Sequence, residues 1–153
     1  MNREEGSLRL VDTEPGDETY RLQDQIGFVL RKAHQRHVAI FASRIGDLTP
    51  PQFAALAKLH EVGATSQNQL GTLIAMDAAT IKGVIDRLKA RDFVEIARHD
   101  GDKRRVLVSL TDAGRQAVER LIPLAQEITA ETLQPLTQRE AGTLLKLLGR
   151  ISE

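Results

Sequence analysis

The chain lacks cysteine and tryptophan, and it has only four phenylalanines and one tyrosine among 153 residues. Without cysteine, neither a disulfide nor a thiol-based peroxide sensor can form. With so few aromatic rings, aliphatic side chains must fill most of the core. A chain of this length can bury such a core as one domain.

Long hydrophobic runs are also missing, and none approaches the roughly 18 to 20 residues that cross a bilayer. Residues 1–24 hold three arginines against seven aspartates or glutamates and have no apolar signal-peptide core. We therefore expect a cytoplasmic protein. Residues 1–18, which are acidic and contain Pro15-Gly16, should form a flexible arm before a single domain over residues 19–153.

The chain has no net charge, but its charges are unevenly distributed. Residues 82–105 contain eight basic and five acidic side chains, while the remainder contains thirteen basic and sixteen acidic ones. A local excess of cations suits contacts with DNA phosphates. The neutral total argues against indiscriminate coating of nucleic acid.

A helix is predicted from Asp77, placed to cap it, to about Arg91. One stripe should be buried: Ile81, Val84, Ile85 and Leu88. The opposite strip is mostly small: Ala79, Gly83, Asp86 and Ala90. A solvated amphipathic helix would also fit. However, a mid-helix glycine costs about 0.5–1 kcal/mol relative to alanine, so Gly83 favours close approach by another body such as a DNA major groove.

The flanking segments predict a winged helix-turn-helix. Ser66 and Gln69 have the spacing of a capping box and open a short helix through Ile74. Residues 93–97 and 105–110 alternate like paired strands around a charged connection that contains Asp100-Gly101. Edge hairpins often carry cations only for solubility, but here the charge continues that of the preceding helix.

Long helices should flank this winged part, which spans about residues 48–110. The first is expected from about Leu22 to Ile45, and further helices should begin after their caps, Thr49, Thr111 and Thr137. We expect a kink at Pro123 in the helix after Thr111. The fold class is therefore mainly α (α+β), a winged helix-turn-helix with long N- and C-terminal helices.

The terminal helices, about 20–46 and 111–153, have more apolar surface than a small winged domain can cover. Exposed stripes of this kind usually mark an interface. We expect a homodimer that places two reading heads on a pseudo-palindromic operator. An intramolecular helical bundle is the alternative.

The run Asp102-Lys-Arg-Arg-Val-Leu-Val-Ser-Leu-Thr-Asp-Ala-Gly114, with residues 48–56 before it, resembles the MarR family of bacterial transcriptional regulators. The family's wing motif is Asp-x-Arg followed by a strand that ends Leu-Thr-x-x-Gly. This sequence matches it at Asp102, Arg104, Leu110, Thr111 and Gly114. The resemblance implies that Arg104 enters the minor groove and that Asp102 holds the wing by pairing with a basic side chain.

Together, these patterns predict a DNA-binding regulator and not an enzyme, and the resemblance to the MarR family implies a repressor. The predicted DNA contacts are Ser66, Gln67, Ala78, Ala79, Thr80, Lys82, Gly83, Asp86, Arg87, Lys89, Arg91, Arg98, Asp102, Lys103, Arg104 and Arg105. The carboxylates Asp100 and Asp102 have no nucleophile or oxyanion device beside them in the sequence. A winged-helix module that docks onto another protein remains an alternative.

The first helix carries cations and histidines beside an apolar stripe, a composition suited to an anionic aromatic ligand. The resemblance implies a small aromatic carboxylate as effector, with candidate contacts at Arg31, His34, His37, Phe41 and Phe53. A metal-responsive regulator is an alternative, in which His34 and His37 join His60 or Glu61. No cofactor and no resident metal are expected.

Overall fold

The computed structural model describes residues 19–99 and 102–153, without the side chains of His99 and residues 102–105. The predicted arm, residues 1–18, and the turn at Asp100-Gly101 lie outside the described residues. A short 3-10 helix, Leu22–Asp24, precedes these elements: α1 Ile26–Arg44, α2 Pro50–Val62, β1 Thr65–Ser66, α3 Gln67–Leu73, α4 Ala78–Ala90, β2 Val94–His99, β3 Asp102–Leu110, α5 Asp112–Leu133 and α6 Gln138–Ile151.

The mainly α winged-helix class is confirmed. The chain divides into two compact units, and the boundary between them falls within α1, between Arg36 and His37. In the first unit, Gln25 has an extended backbone and separates the 3-10 helix from α1. The continuous helix predicted from Leu22 is therefore wrong at its start.

The second unit is built around one apolar core to which α2, α3, α4, α5 and the sheet contribute. Leu56, Leu70 and Ile85 are fully buried there. Aliphatic side chains supply most of this core, as the composition predicts. Phe41 belongs to this core, and Phe53 packs against it. The centroids of the two phenylalanine rings are 6.2 Å apart.

Helix starts follow the predicted caps. Thr49 and Thr137 form complete capping boxes with Gln52 and Glu140. Thr111, Asp77 and Ser66 each accept a hydrogen bond from a backbone N–H of the first turn. The Ser66 box is incomplete, because the Gln69 side chain accepts from the Thr65 hydroxyl instead. Pro123 lies inside α5, which continues through it.

The sheet has the order β1-β3-β2 and is antiparallel throughout. Strands β2 and β3 are longer than predicted, since Arg98 still pairs opposite Val106 and an irregularity follows it. Strand β1, which the sequence analysis missed, pairs Thr65 with Val108. It ties the start of the helix-turn-helix to the base of the wing.

Across the described residues, no helix is long and apolar enough to cross a membrane.

Candidate nucleic-acid interface

Helix α4 has two sharply different faces. Its apolar stripe is buried as predicted: Ile81, Val84, Ile85 and Leu88. The other residues of the helix are exposed: Ala78, Ala79, Thr80, Lys82, Gly83, Asp86, Arg87, Lys89 and Ala90. This exposed set is called the α4 outer face below. Because the stripe anchors the helix to the core, the outer face is held rigidly toward solvent.

Gly83 lies at the middle of the α4 outer face. A Cβ built there would meet no described atom within 4 Å. By contrast, a Cβ at Gly71 would lie 3.0 Å from the Met76 carbonyl oxygen, and one at Gly114 would lie 1.9 Å from that of Phe93. Packing within the described chain thus accounts for Gly71 and Gly114 but not for Gly83.

Cations border the small centre of the α4 outer face. The Lys82 ammonium lies 2.9 Å from the Asp86 carboxylate, one helical turn away, and both side chains are exposed. Exposed pairs of this kind contribute little to stability and are easily exchanged for another anion. Arg87 and Lys89 are exposed nearby.

At the start of α4, the Asp77 carboxylate accepts a 2.7 Å hydrogen bond from the Thr80 backbone N–H. This hydrogen bond favours the charged form and lowers the pKa of Asp77. The negative charge also complements the positive end of the helix dipole. Asp77 therefore stabilises the start of the helix.

Helix α3 and its turn support α4. Gly71 permits the close approach of α3 to Ile81, and Ala75 in the turn has a left-handed φ of 56°. Ser66 and Gln67, predicted to contact DNA, are partly buried at the start of α3. Ser66 is engaged as the helix cap, with its hydroxyl 3.2 Å from the Gln69 N–H.

The Arg91 guanidinium, also a predicted DNA contact, is engaged with a residue far away in the sequence. It donates hydrogen bonds to the backbone oxygen and the carboxylate of Asp47. Its Cζ also lies 4.7 Å from the Phe93 ring centroid. No local pattern in the sequence predicts this contact.

The wing consists of β2 and β3. Arg98 is exposed on β2. The predicted contacts of Asp102, Lys103, Arg104 and Arg105 concern side chains outside the described part of the structure.

The predicted ligand contacts fall in different surroundings. In the first unit, Arg31 and His34 are exposed, and Arg31 Cζ lies 5.6 Å from the Phe28 ring centroid. In the second unit, Phe41 belongs to the core, and Phe53 packs against it.

His37 is partly buried, and its Nδ1 lies 2.9 Å from the Thr132 hydroxyl of α5. His60 Nε2, from the metal alternative, lies 3.3 Å from a carboxylate oxygen of Glu119. Within residues 19–99 and 102–153, no group of three or more histidines and carboxylates is arranged to hold a metal ion.

A turn-linked pair of helices with a rigid outer face, followed by a two-stranded wing, defines a winged-helix protein of the kind that reads DNA. The model of the MarR family matches residues 48–106. The HTH-type transcriptional repressor NicR of Pseudomonas putida is 40% identical over 140 residues, covering 90% of this chain and 89% of that repressor.

Two solved structures are similar over nearly their whole length. A probable transcriptional regulator from Pseudomonas aeruginosa has 52% identity and a TM-score of 0.83, covering 86% of this chain and 99% of its own. Bordetella bronchiseptica BpsR, whose DNA binding is regulated by 6-hydroxynicotinic acid, has 41% identity and a TM-score of 0.84, covering 88% and 98%. The chain belongs to the MarR family and is a transcriptional regulator of that family.

Proposed function

We propose that the protein is a repressor that binds a pseudo-palindromic operator as a homodimer and leaves it when a small aromatic acid binds. In this proposal, the α4 outer face enters the major groove and the wing reaches the adjacent minor groove. The observation that carries it is the open, rigid surface around Gly83, which has a cationic border and no packing role in the described chain.

The proposed contacts divide by chemistry. Small side chains at Ala79 and Gly83 let the helix approach base edges closely, while Lys82 and Lys89 face the phosphates. Arg104 is proposed to enter the minor groove, as the family resemblance implies. Phosphate contacts make the affinity fall steeply with salt.

The proposed dimer covers apolar surface that the described chain leaves exposed. Helix α6 has no buried residue, and Leu144, Leu147 and Ile151 are exposed on one face of it. In the first unit, Ile26 and Leu30 of α1 are exposed as well. A second copy would bury these side chains by two-fold symmetry.

The proposed effector is a single-ring carboxylic acid, such as a hydroxylated nicotinic acid. This rests partly on the similarity to BpsR and NicR. In the first unit, an open groove of about 410 Å³ is lined by Gln23, Phe28, Val29, Lys32, Ala33 and Arg36. Its apolar lining suits a flat ring, and its cations suit a carboxylate.

Effector binding is proposed to change the distance between the two reading heads. If both heads cannot reach their half-sites together, the gain from bivalent binding is lost. The ligand needs only a higher affinity for the head spacing that does not fit the operator.

The test is binding of the purified protein to the promoter region beside its own gene, measured by fluorescence anisotropy at several salt concentrations. We expect tight, salt-sensitive binding that 6-hydroxynicotinate relieves and that Lys89→Gln weakens. A matched control is Arg120→Gln, which removes an exposed cation from α5. Binding that no aromatic acid relieves would remove the effector from the proposal, and absence of sequence-preferring binding would overturn the repressor itself.

A further inference from the structure

Arg91 lies where three parts of the second unit meet. Asp47 belongs to the loop between α1 and α2, Arg91 is the C-cap that follows α4, and Phe93 precedes β2. The Arg91 guanidinium donates to the Asp47 backbone oxygen, and its Nη2 lies 3.2 Å from the Asp47 carboxylate. The Arg91 Cζ also lies over the face of Phe93, 4.7 Å from the ring centroid. These three residues are called the Arg91 cluster.

The backbone around the Arg91 cluster is tightly bonded. Asp92 takes a left-handed φ of 60°, which turns the chain from α4 into the wing. Its carbonyl oxygen accepts a 2.6 Å hydrogen bond from the Thr111 hydroxyl, and the Phe93 carbonyl accepts one of 3.1 Å from the Thr111 N–H. The first turn of α5 therefore meets the end of α4 at this point.

We propose that Arg91 is a positioning residue that fixes the end of the recognition helix and the base of the wing against the α1–α2 loop, and does not itself contact DNA phosphates. The inference rests on the proposed function, because it concerns how the helix is presented to an operator. In this role, Arg91 affects operator affinity through its contact with Asp47. The Asp47 carboxylate would otherwise only repel DNA.

The chemistry of arginine explains why this position carries one. A planar guanidinium can donate to a carbonyl and a carboxylate together while its face covers an aromatic ring. Cation–π contacts of this kind occur within about 6 Å of the ring centroid. A lysine ammonium keeps the charge, but it is not planar. It therefore cannot bond to both oxygens and stack on the aromatic ring at the same time.

The two roles of Arg91 predict opposite effects of removing Asp47. If Arg91 binds phosphate, Asp47 competes for the guanidinium and repels the DNA, so Asp47→Ala should strengthen operator binding. If Arg91 positions α4, Asp47→Ala should weaken binding although it removes a negative charge. The sign of the change therefore decides between the roles.

The experiment measures operator affinity against salt concentration for the full-length wild type, Asp47→Ala, Arg91→Gln, Arg91→Lys and the double variant Asp47→Ala/Arg91→Gln. We expect each single variant to bind about tenfold more weakly or worse, the typical effect of losing a hydrogen bond to a charged group. The double variant should be scarcely weaker than either single one, because all disrupt the same contact. The salt slope should stay as in the wild type.

Arg120→Gln serves as the control for loss of a cation, and thermal unfolding identifies the temperature at which every variant is folded. Stronger binding by Asp47→Ala would overturn the inference. So would an Arg91→Gln salt slope smaller by about 0.9, the value for one lost phosphate contact. A wild type that binds no operator would instead overturn the proposed function, and the positioning role with it.

Discussion

Helices α4 and α6 are both amphipathic, but the described chain buries the apolar face of α4 only. In α4, Ile81, Ile85 and Leu88 are almost fully buried, so its apolar face is used within the second unit. In α6, no residue is buried, and Leu147 is 45% exposed. Helix α4 is held by its own chain and presents a polar face, whereas α6 keeps an apolar face exposed, which the proposed dimer would bury.

The greatest loss of stability should come from a cavity beneath the buried face of α4. Leu88→Ala should lower the free energy of unfolding by about 2–5 kcal/mol, because it leaves a cavity in a packed core. Urea denaturation measures the loss, which should be the same at every protein concentration. The matched variant Leu147→Ala should instead show an effect that depends on concentration, since the proposed dimer buries this side chain against a second chain. Equal effects of both variants at all concentrations would contradict the distinction.

Polar substitutions on the exposed apolar face of α6 should weaken the proposed dimer. Leu144→Gln/Leu147→Gln should weaken the dimer at least a hundredfold, or about 3 kcal/mol, because each change is repeated by symmetry and places an amide in an apolar interface. Sedimentation equilibrium measures the change in mass. Lys146→Gln, on the other side of α6, is the control and should leave the dimer intact. A double variant with unchanged mass would show that this face is not the interface.

A smaller effect concerns the wing. Arg104→Ala should weaken operator binding by about 1–3 kcal/mol, the typical value of a good groove contact. Fluorescence anisotropy measures it, with Arg120→Ala as the matched control on α5. Unchanged affinity together with an unchanged salt slope would show that the wing is not used.

A smaller effect on stability is expected from the Asp77 cap at the start of α4. Since the folded protein lowers the pKa of Asp77, the charged carboxylate stabilises the fold above the ordinary pKa of 3.8. That contribution is lost as the pH falls through the lower, folded value. Asp77→Asn keeps a hydrogen-bond acceptor but does not titrate. The urea midpoints of wild type and variant should therefore differ at pH 6 and converge toward pH 3, and a constant difference would contradict this.

Local features of this chain were predictable because short-range chemistry dictates them. Caps at Thr49, Asp77 and Thr137 satisfy backbone groups three residues away. The buried stripe of α4 follows from helical periodicity alone. These signals located both helices of the helix-turn-helix and both strands of the hairpin.

The missed features join residues that are distant in sequence. Arg91 meets Asp47 across 44 positions, and His37 meets Thr132 across 95. Strand β1 has only two residues and exists because β3 lies beside it. A single sequence contains no periodic or capping signal for such contacts, since the tertiary arrangement creates them.

We propose that the α4 outer face serves DNA binding and not the fold, and Gly83→Ala separates these two roles. A Cβ at this position meets no described atom, so the variant should gain about 0.5–1 kcal/mol of stability from helix propensity. The same methyl group should crowd a closely docked groove and cost about 1–3 kcal/mol of operator affinity. Raised stability in urea with weakened binding is the predicted result. Raised stability with unchanged operator affinity would show that the α4 outer face does not dock closely on DNA at Gly83.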